Sequence, residues 1–440
     1  MPLELPNSAA ANIIATLVVS GRSARLTQTF AGLKAQDPPP TALVVIDATP
    51  EGTSAPAAAE ISAQTGLPEH RIRRVVTGTA NHATAVTIAL DALWRDSDLE
   101  ELHTQRAVGP NADTWVWLLG ADTDPLPGAT AALLREVEST ESAVVLGMKQ
   151  LLWERPRHLA ELGMTATWWG RRIPLAERGE IDQGQHDGVE DVLAVNLKTS
   201  LIRADVWHQM ASPEADLEPF EDGVEYCRRV RLAGHRVVVV PSARVRHDGP
   251  AARSHLQRRR AFLLRQYISA PLWALPFVVL FSVVAAPVRA AWRVARKELA
   301  SVAGEFLAPL LALAAVRTIM LARRRASRTA VMPRRTLRPL LLNPTATARH
   351  RWNLLSARWQ TRRAQQAPSE LEQRELAAAR RRRRIYSWSL ATVAVAITAV
   401  AVGRHAVAIF GGALLSGPGI AFGEANGPSA LHWATYGWND

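Results

Sequence analysis

Two aspartates one residue apart, Asp122 and Asp124, follow the apolar run WVWLLG and precede PLPGA in this chain. Carboxylates at the carboxyl tip of a buried strand lie where open α/β sheets place ligands. The same residues, with Pro and Gly beside them, also build solvated turns. On the motif alone both readings stand. A second acid in the same setting, Asp47, ends ALVVID just before Thr49 and Pro50. Further along, Glu221 and Asp222 open EDGVEYCRRVRLAG, an acidic amino end that suits a helix dipole. His247 comes after VVVVPSARVR.

The elements that must position these residues alternate in type. NIIATLVVSG reads as a buried strand, ARLTQTFAGLKAQ as a helix, and PPPTALVVIDATPEG as a loop, a second strand ending at Asp47, and a turn. HRIRRVVTG supplies a third strand, NHATAVTIALDAL a helix, and WVWLLG a fourth strand. Strands alternating with helices predict a parallel, doubly wound sheet, so Asp47 and Asp122 both fall at carboxyl strand ends. GATAALLREVE then reads as a helix and SAVVLGMKQ as a strand. Residues 150 to 190 are irregular and rich in Trp, Arg and Gly. A long loop of this kind in a compact domain is usually functional, although Trp168 and Trp169 suit packing equally well. DVLAVNLKTSLIRADVW reads as a strand and its return, and HRVVVVPSARVRHDG closes the domain with a strand and a turn.

Composition narrows the partners. The 440 residues carry a net charge of +12, almost wholly from arginine, since Lys occurs only at Lys34, Lys149, Lys198 and Lys297. One cysteine, Cys227, excludes an internal disulfide framework and a cysteine-rich zinc site. From Arg317 to Arg384 there are nineteen Arg, three Glu and no Lys or Asp. Such a block could bind nucleic acid or an anionic membrane. The uncharged segment next to it, Ile385 to Val402 with Tyr386 and Trp388 at its edge, decides for an arginine-flanked membrane span and against nucleic acid. Two earlier apolar stretches, Ala270 to Val288 with three prolines and Glu305 to Val316, either both span or both lie at the interface. The interfacial reading is preferred. The opening MPLELPNSAAANIIATLVVSGRS has no positive start before its apolar run, so the amino-terminal domain is expected in the cytoplasm, attached to the cell membrane.

Taken together, VVIDATPEG, WLLGADTDPLPGA, EDGVEYCRRVRLAGHRV and VVVPSARVRHDG resemble the inverting glycosyltransferases of family two, which have a GT-A fold. The resemblance covers roughly Ile13 to Asp248 and is nearest to membrane-attached actinobacterial enzymes of cell-envelope synthesis. It implies a Rossmann-like, mostly parallel α/β domain followed by membrane-associated helices. It also implies a nucleotide-sugar donor, a glycan or lipid-linked acceptor, and a divalent cation, Mn2+ or Mg2+, that neutralises the departing diphosphate. LGADTDP is similar to family strings of the type LDADTxP, which puts Asp122 at the metal position and Gly120 at the place of the first acid. Asp124 is then a substitute ligand or a turn residue. His247 matches the histidine that often completes the metal site. Asp47 matches the acid that holds the nucleoside base or ribose, or else simply forms the turn.

An inverting transfer needs a base for the acceptor hydroxyl, which the family takes from an acid pair opening a helix, as in DDVDLCxR. Aligned by Tyr226 and Cys227, Asp222 falls on the first acid and Gly223 on the second; shifted by one residue, the pair becomes Glu221 and Asp222. Because Gly120 and Gly223 replace expected acids, two functions remain: an active glycosyltransferase, or a weakened pseudo-glycosyltransferase that binds a nucleotide sugar or a partner as a scaffold. The expected organisation is a glycosyltransferase domain at 1–257, interfacial or embedded helices at 258–320, and an arginine-rich cytoplasmic linker at 321–384. A transmembrane helix at 385–415 and an extracytoplasmic tail at 416–440 complete it.

Overall fold

The computed structural model describes residues 11–21, 23–95, 113–167, 169–188, 191–219, 221–247, 254–342, 356, 381–382, 385–386, 388–400 and 402–403. Contacts divide the chain into Met1–His350 and Arg351–Asp440.

The first unit begins with the expected alternation: β1 (Asn12–Val19), α1 (Leu26–Lys34), β2 (Ala42–Asp47), α2 (Ala58–Thr65), β3 (Ile72–Val76), α3 (His82–Arg95) and β4 (Thr114–Gly120). β1, β2 and β4 are buried along their whole length. Their unbroken apolar runs are what parallel strands covered on both faces require. β3 carries Arg73 and Arg74 exposed at the sheet edge, where charge discourages further pairing. Next come β5 (Asp124–Pro125), α4 (Ala129–Ser139), β6 (Ala143–Leu151), β7 (Leu159–Glu161), β8 (Met164–Thr167), β9 (Arg172–Pro174), β10 (Thr199–Arg203), α5 (Ala204–Met210), α6 (Asp222–Leu232) and β11 (Arg236–Arg246).

The main sheet has the order β3-β2-β1-β4-β10-β6-β11-β5. β1, β2, β3 and β4 pair in parallel, as do β6 and β11, while β10 runs antiparallel between β4 and β6. This is the mostly parallel α/β architecture expected of GT-A. Alternate residues of β1 point to opposite cores: Ile14 and Val18 meet α3, whereas Ile13, Leu17 and Val19 meet Phe30 and Leu33 of α1.

Three local expectations change. α2, in a stretch to which the sequence pattern assigns no element, is a short helix ended by Gly66 at φ 72°, a left-handed C-cap. VVVVPSARVR forms one strand rather than a strand and a turn. Its register slips between Val240 and Arg244, around Pro241, which has no N–H to give the ladder. Of DVLAVNLKTSLIR, only Thr199–Arg203 is a strand.

A helical layer lies on this domain: α7 (His255–Ser269), α8 (Leu275–Val284), α9 (Ala286–Ala295), α10 (Val302–Ala314) and α11 (Val316–Thr329). α7 is fastened by Arg265 to Glu221, by Arg260 to Asp216 at 3.0 and 2.7 Å, and by Gln266 Nε2 donating to the Trp169 carbonyl at 2.7 Å. α8 and α9 continue as one helix, Leu275–Ala295, of 21 residues and mean hydropathy 1.8, long and apolar enough to cross a membrane. It runs back along α7. Ser282 meets Tyr267 near the end of α7, and Arg289 and Arg293 meet Glu305 beside His255 at its start. Glu305 is buried, with His255 Nε2 at 2.9 Å and three arginines around it.

The chain does not leave the domain at residue 320. Arg323 donates to the Tyr267 and Ile268 carbonyls, Arg325 pairs with Glu214, and the Val331 and Met332 N–H groups donate to the Leu232 carbonyl. β12 (Leu341–Leu342) then pairs with β8. The linker expected at 321–384 is therefore corrected: up to residue 342 it is docked structure, because its arginines find acids and carbonyls on the domain. Most of 343–384 lies outside the described residues. Taken by itself, the second unit contains the apolar helix α12 (Trp388–Val400). Residues 404–415 of the expected span and the tail at 416–440 lie outside the described residues.

Candidate active site

A cleft of about 450 Å3 opens at the carboxyl ends of β1 and β4. Its walls include Asp122, Asp222, His247, Lys198, Glu218 and the buried His82. Each comes from the end of a different element. Asp122 sits two residues past β4, His82 opens α3, Lys198 precedes β10, Asp222 opens α6, and His247 stands directly after β11. His247 is fixed where β11 ends, its N–H donating to the Leu151 carbonyl at 2.9 Å.

Asp122 and His247 face each other across one half of the cleft. His247 Nδ1 lies 3.6 Å from Asp122 Oδ2 and 3.3 Å from the Asp122 carbonyl oxygen. Two ligands at right angles on one Mg2+ or Mn2+ stand about 3 Å apart, so a small side-chain adjustment lets both reach one ion. The Asp122 side chain is 47% exposed, leaving its second oxygen open to the cleft. Among the described residues no group of three or more His, Cys, Asp or Glu side chains converges as a metal cage. The remaining ligands would be phosphate oxygens and water, the usual arrangement for Mg2+-type sites on phosphorylated substrates.

Asp222 forms the other half. Burial, reinforced by the neighbouring Glu218 carboxylate, pushes its carboxyl up to about 7, with Lys198 pulling the other way. A base with that affinity is matched to work near neutral pH. The glycine beside it has a packing cause: a Cβ on Gly223 would press into the Val195 carbonyl oxygen, far inside van der Waals contact. Position 223 thus faces the backbone of residue 195, and position 222 faces the cleft.

Three expected site residues do other work. Asp124 does not reach the cleft: it pairs with β11, and its Oδ2 accepts from Arg246 Nε at 2.6 Å. It anchors the turn after β4, so its proposed ligand role is corrected. Glu221 is likewise withdrawn as a proton acceptor, since its carboxylate is held by Arg265, which also donates to the Gly170 carbonyl. Asp47 is fully buried. Its oxygens accept from the Thr49 N–H and hydroxyl at 3.1 and 2.6 Å and from the Ser54 and Ala55 N–H groups at 2.9 and 2.8 Å. With Arg74 at 3.4 Å as well, the carboxylate has no lone pair left for a nucleoside. Burial alone would raise its pKa, but these hydrogen bonds outweigh it and hold the carboxyl below its usual range.

Sequence reasoning missed His82, Lys198 and Glu218. Glu218 Oε2 accepts from the His82 N–H at 2.8 Å, and its Oε1 lies 3.3 Å from Lys198 Nζ. Burial, helped by Lys198, drives the His82 imidazole down to about 3, so the ring is neutral. Its Nε2 contacts the Leu119 carbonyl at 3.1 Å, and its buried Nδ1 has no partner. Two signals were available. His82 stands just beyond the carboxyl end of a strand, and Lys198 is one of only four lysines.

No curated protein matches the chain. Among solved structures, GalNAc-T7 with UDP, GalNAc and Mn2+ is 11% identical over 57% of this chain and 47% of that one, with a TM-score of 0.40. The chain thus spans about half the length of that protein. Residues 1–349 of TarS from S. aureus are 12% identical over 61% and 68%, with a TM-score of 0.36. The mannosyltransferase PcManGT from Pyrobaculum calidifontis, with GDP-Man and Mn2+, is 13% identical over 71% and 90%, with a TM-score of 0.38. At such scores these likenesses decide nothing about activity. The sequence profile of glycosyltransferase like family 2 matches residues 11–268. That is more than half of the chain and takes in every wall of the cleft, so the chain belongs to the glycosyltransferase family 2 group.

Proposed function

We propose that the protein is an active, membrane-attached enzyme that moves a sugar from a nucleotide-sugar donor to a cell-envelope glycan or lipid-linked acceptor, with inversion. One observation carries this reading: Asp122, His247 and Asp222, far apart in sequence, line a single cleft. Asp122 and His247 would hold the divalent cation. When bound, it neutralises the diphosphate as the bond to the sugar breaks. Asp222 accepts the proton of the acceptor hydroxyl as that oxygen attacks the anomeric carbon from the face opposite the diphosphate. Buried, neutral His82 offers a hydrogen-bond acceptor without adding charge. The absent acid at position 223, which suggested a scaffold, is accounted for by packing on Val195.

The helical layer supports attachment in the plane of a membrane. Phe277, Phe281, Val284, Val288 and Trp292 are exposed at helical spacing along Leu275–Ala295. Arg289 and Arg293 of the same helix turn toward buried Glu305. A helix apolar on one face, tied to a domain by charges on the other, lies on a bilayer rather than through it. The catalytic domain then rests on the cytoplasmic surface, close to an amphiphilic acceptor. The test is twofold. The purified protein should hydrolyse at least one of a panel of UDP, GDP and TDP sugars with Mn2+, and should float with liposomes less well after Phe277→Asp with Phe281→Asp. No turnover with any donor would contradict the enzyme reading, and unchanged flotation the interfacial one.

A further inference from the structure

Position 120 is a glycine where the resembling sequences carry an acid, and the space is not empty. A Cβ there would lie 2.6 Å from Asp122 Oδ1 and 3.9 Å from Lys198 Cδ. The Lys198 stem therefore passes over the place where that acid would stand. Its side chain is 28% exposed, and its Nζ is 3.3 Å from Glu218 Oε1. An ammonium has three N–H donors, and Glu218 occupies one. Lys198 acts electrostatically on both Asp222 and His82, so its charge is felt across the cleft. Of the other lysines, Lys149 is engaged by Asp182 and Asp187 outside the cleft.

We propose that Lys198 is a fixed, protein-borne cation for the donor's diphosphate, acting beside the divalent ion of Asp122 and His247, so that the cleft keeps part of its pyrophosphate affinity without metal. The inference rests on the glycosyltransferase reading and deepens it. The acid missing at 120 leaves the local charge one unit more positive than in the resembling sequences, and Lys198 stands beside that place, which favours a dianionic group. As the sugar leaves, the bond from the anomeric carbon to the phosphate oxygen breaks and its electron pair stays on that oxygen. The ammonium stabilises this charge through an N–H hydrogen bond and keeps its proton.

The test is calorimetric titration of the full-length detergent-solubilised protein with inorganic pyrophosphate, in EDTA and in Mn2+. Wild type should bind in EDTA; Lys198→Met should weaken that binding by at least about tenfold, and Lys198→Arg by no more than about threefold. Lys198→Gln, which can still hydrogen-bond Glu218, replaces the Met variant if the latter loses its thermal transition. A merely structural role would not move the second readout. Asp222 faces Glu218 and Lys198, so removing the cation should shift the pH profile of donor turnover upward. Binding only with Mn2+, metal-free binding indifferent to Lys198→Met, or an unshifted profile overturns the inference and leaves the enzyme reading standing. No pyrophosphate binding under either condition would sink both.

Discussion

The ends of β2 and β4 make an instructive pair. Both are buried parallel strands of one sheet, and each delivers an aspartate at its carboxyl end, Asp47 at the last residue and Asp122 two residues beyond. Asp47 is enclosed by its own loop, with four short hydrogen bonds and Arg74 nearby. Asp122 stands half exposed, with His247 beside its carboxylate. Position at a strand tip therefore does not by itself make a site in this sheet. Unspent hydrogen-bonding capacity distinguishes the working acid from the structural one.

The sharpest way to break that contrast is to remove each acid. Asp122→Ala or His247→Ala should lower Mn2+-dependent nucleotide affinity by about a hundredfold, about 2.8 kcal/mol of lost charge stabilisation. Asp124→Asn should leave that affinity nearly intact, as titration calorimetry would show. Asp47→Ala should behave in the opposite way. It strands three loop N–H donors, the Thr49 hydroxyl and one contact of the Arg74 guanidinium, so it should cost about 3 kcal/mol in denaturant unfolding. Metal affinity of the folded fraction should not change.

A smaller effect sharpens the comparison at the glycines. Gly223→Ala forces a methyl against a backbone carbonyl and should cost about 1–3 kcal/mol of stability. Gly120→Ala presses on the carboxylate end of Asp122 and only touches Lys198 Cδ at ordinary contact distance, so it should perturb cation binding more than folding.

The smallest effect is in the pH dependence of stability, and its sign differs between acids. The Asp47 carboxyl is lowered in the folded protein. Its contribution is present above the unfolded value near 3.8 and is lost as pH falls through the lower folded value. The Asp222 carboxyl is raised to about 7. The folded protein therefore holds an extra proton between about pH 4 and 7 and loses stability as pH rises across that window. Asp222→Asn should remove this loss, so its gain over wild type should be larger at pH 7.5 than at pH 4.5. Urea midpoints at the two values check it.

Much of the scaffold was legible because it is written in long apolar runs. β1, β2, β4 and β6 carry predominantly hydrophobic stretches, and α3 and α6 carry helical spacing. Asp122 and His247 stand just past the ends of such runs and Asp222 at an acidic helix start, so their places beside one cleft could be read from the sequence. The roles of Asp47, Asp124 and Glu221 could not. Each depends on a partner that sequence does not announce: a loop that folds back, an arginine 122 residues away, and an arginine 44 residues away. Lys198 and His82 were missed for the same reason, since only the closing of the sheet brings them to Asp222. The helical layer was half legible. Its apolarity was plain, but its return to the domain through Arg323, Arg325 and β12 depends on contacts that the arginine count hid.

The central claim is that Asp222 serves as the proton acceptor in a cleft whose cation is held by Asp122 and His247. Its most direct test is the pH dependence of nucleotide-sugar turnover by wild type and by Asp222→Asn, with nucleotide binding measured alongside. Wild-type kcat/KM should rise through about pH 7, the value to which burial pushes Asp222. The variant should lose about 10²- to 10⁴-fold in turnover while binding nucleotide and Mn2+ as before. Undiminished turnover in Asp222→Asn would contradict the account.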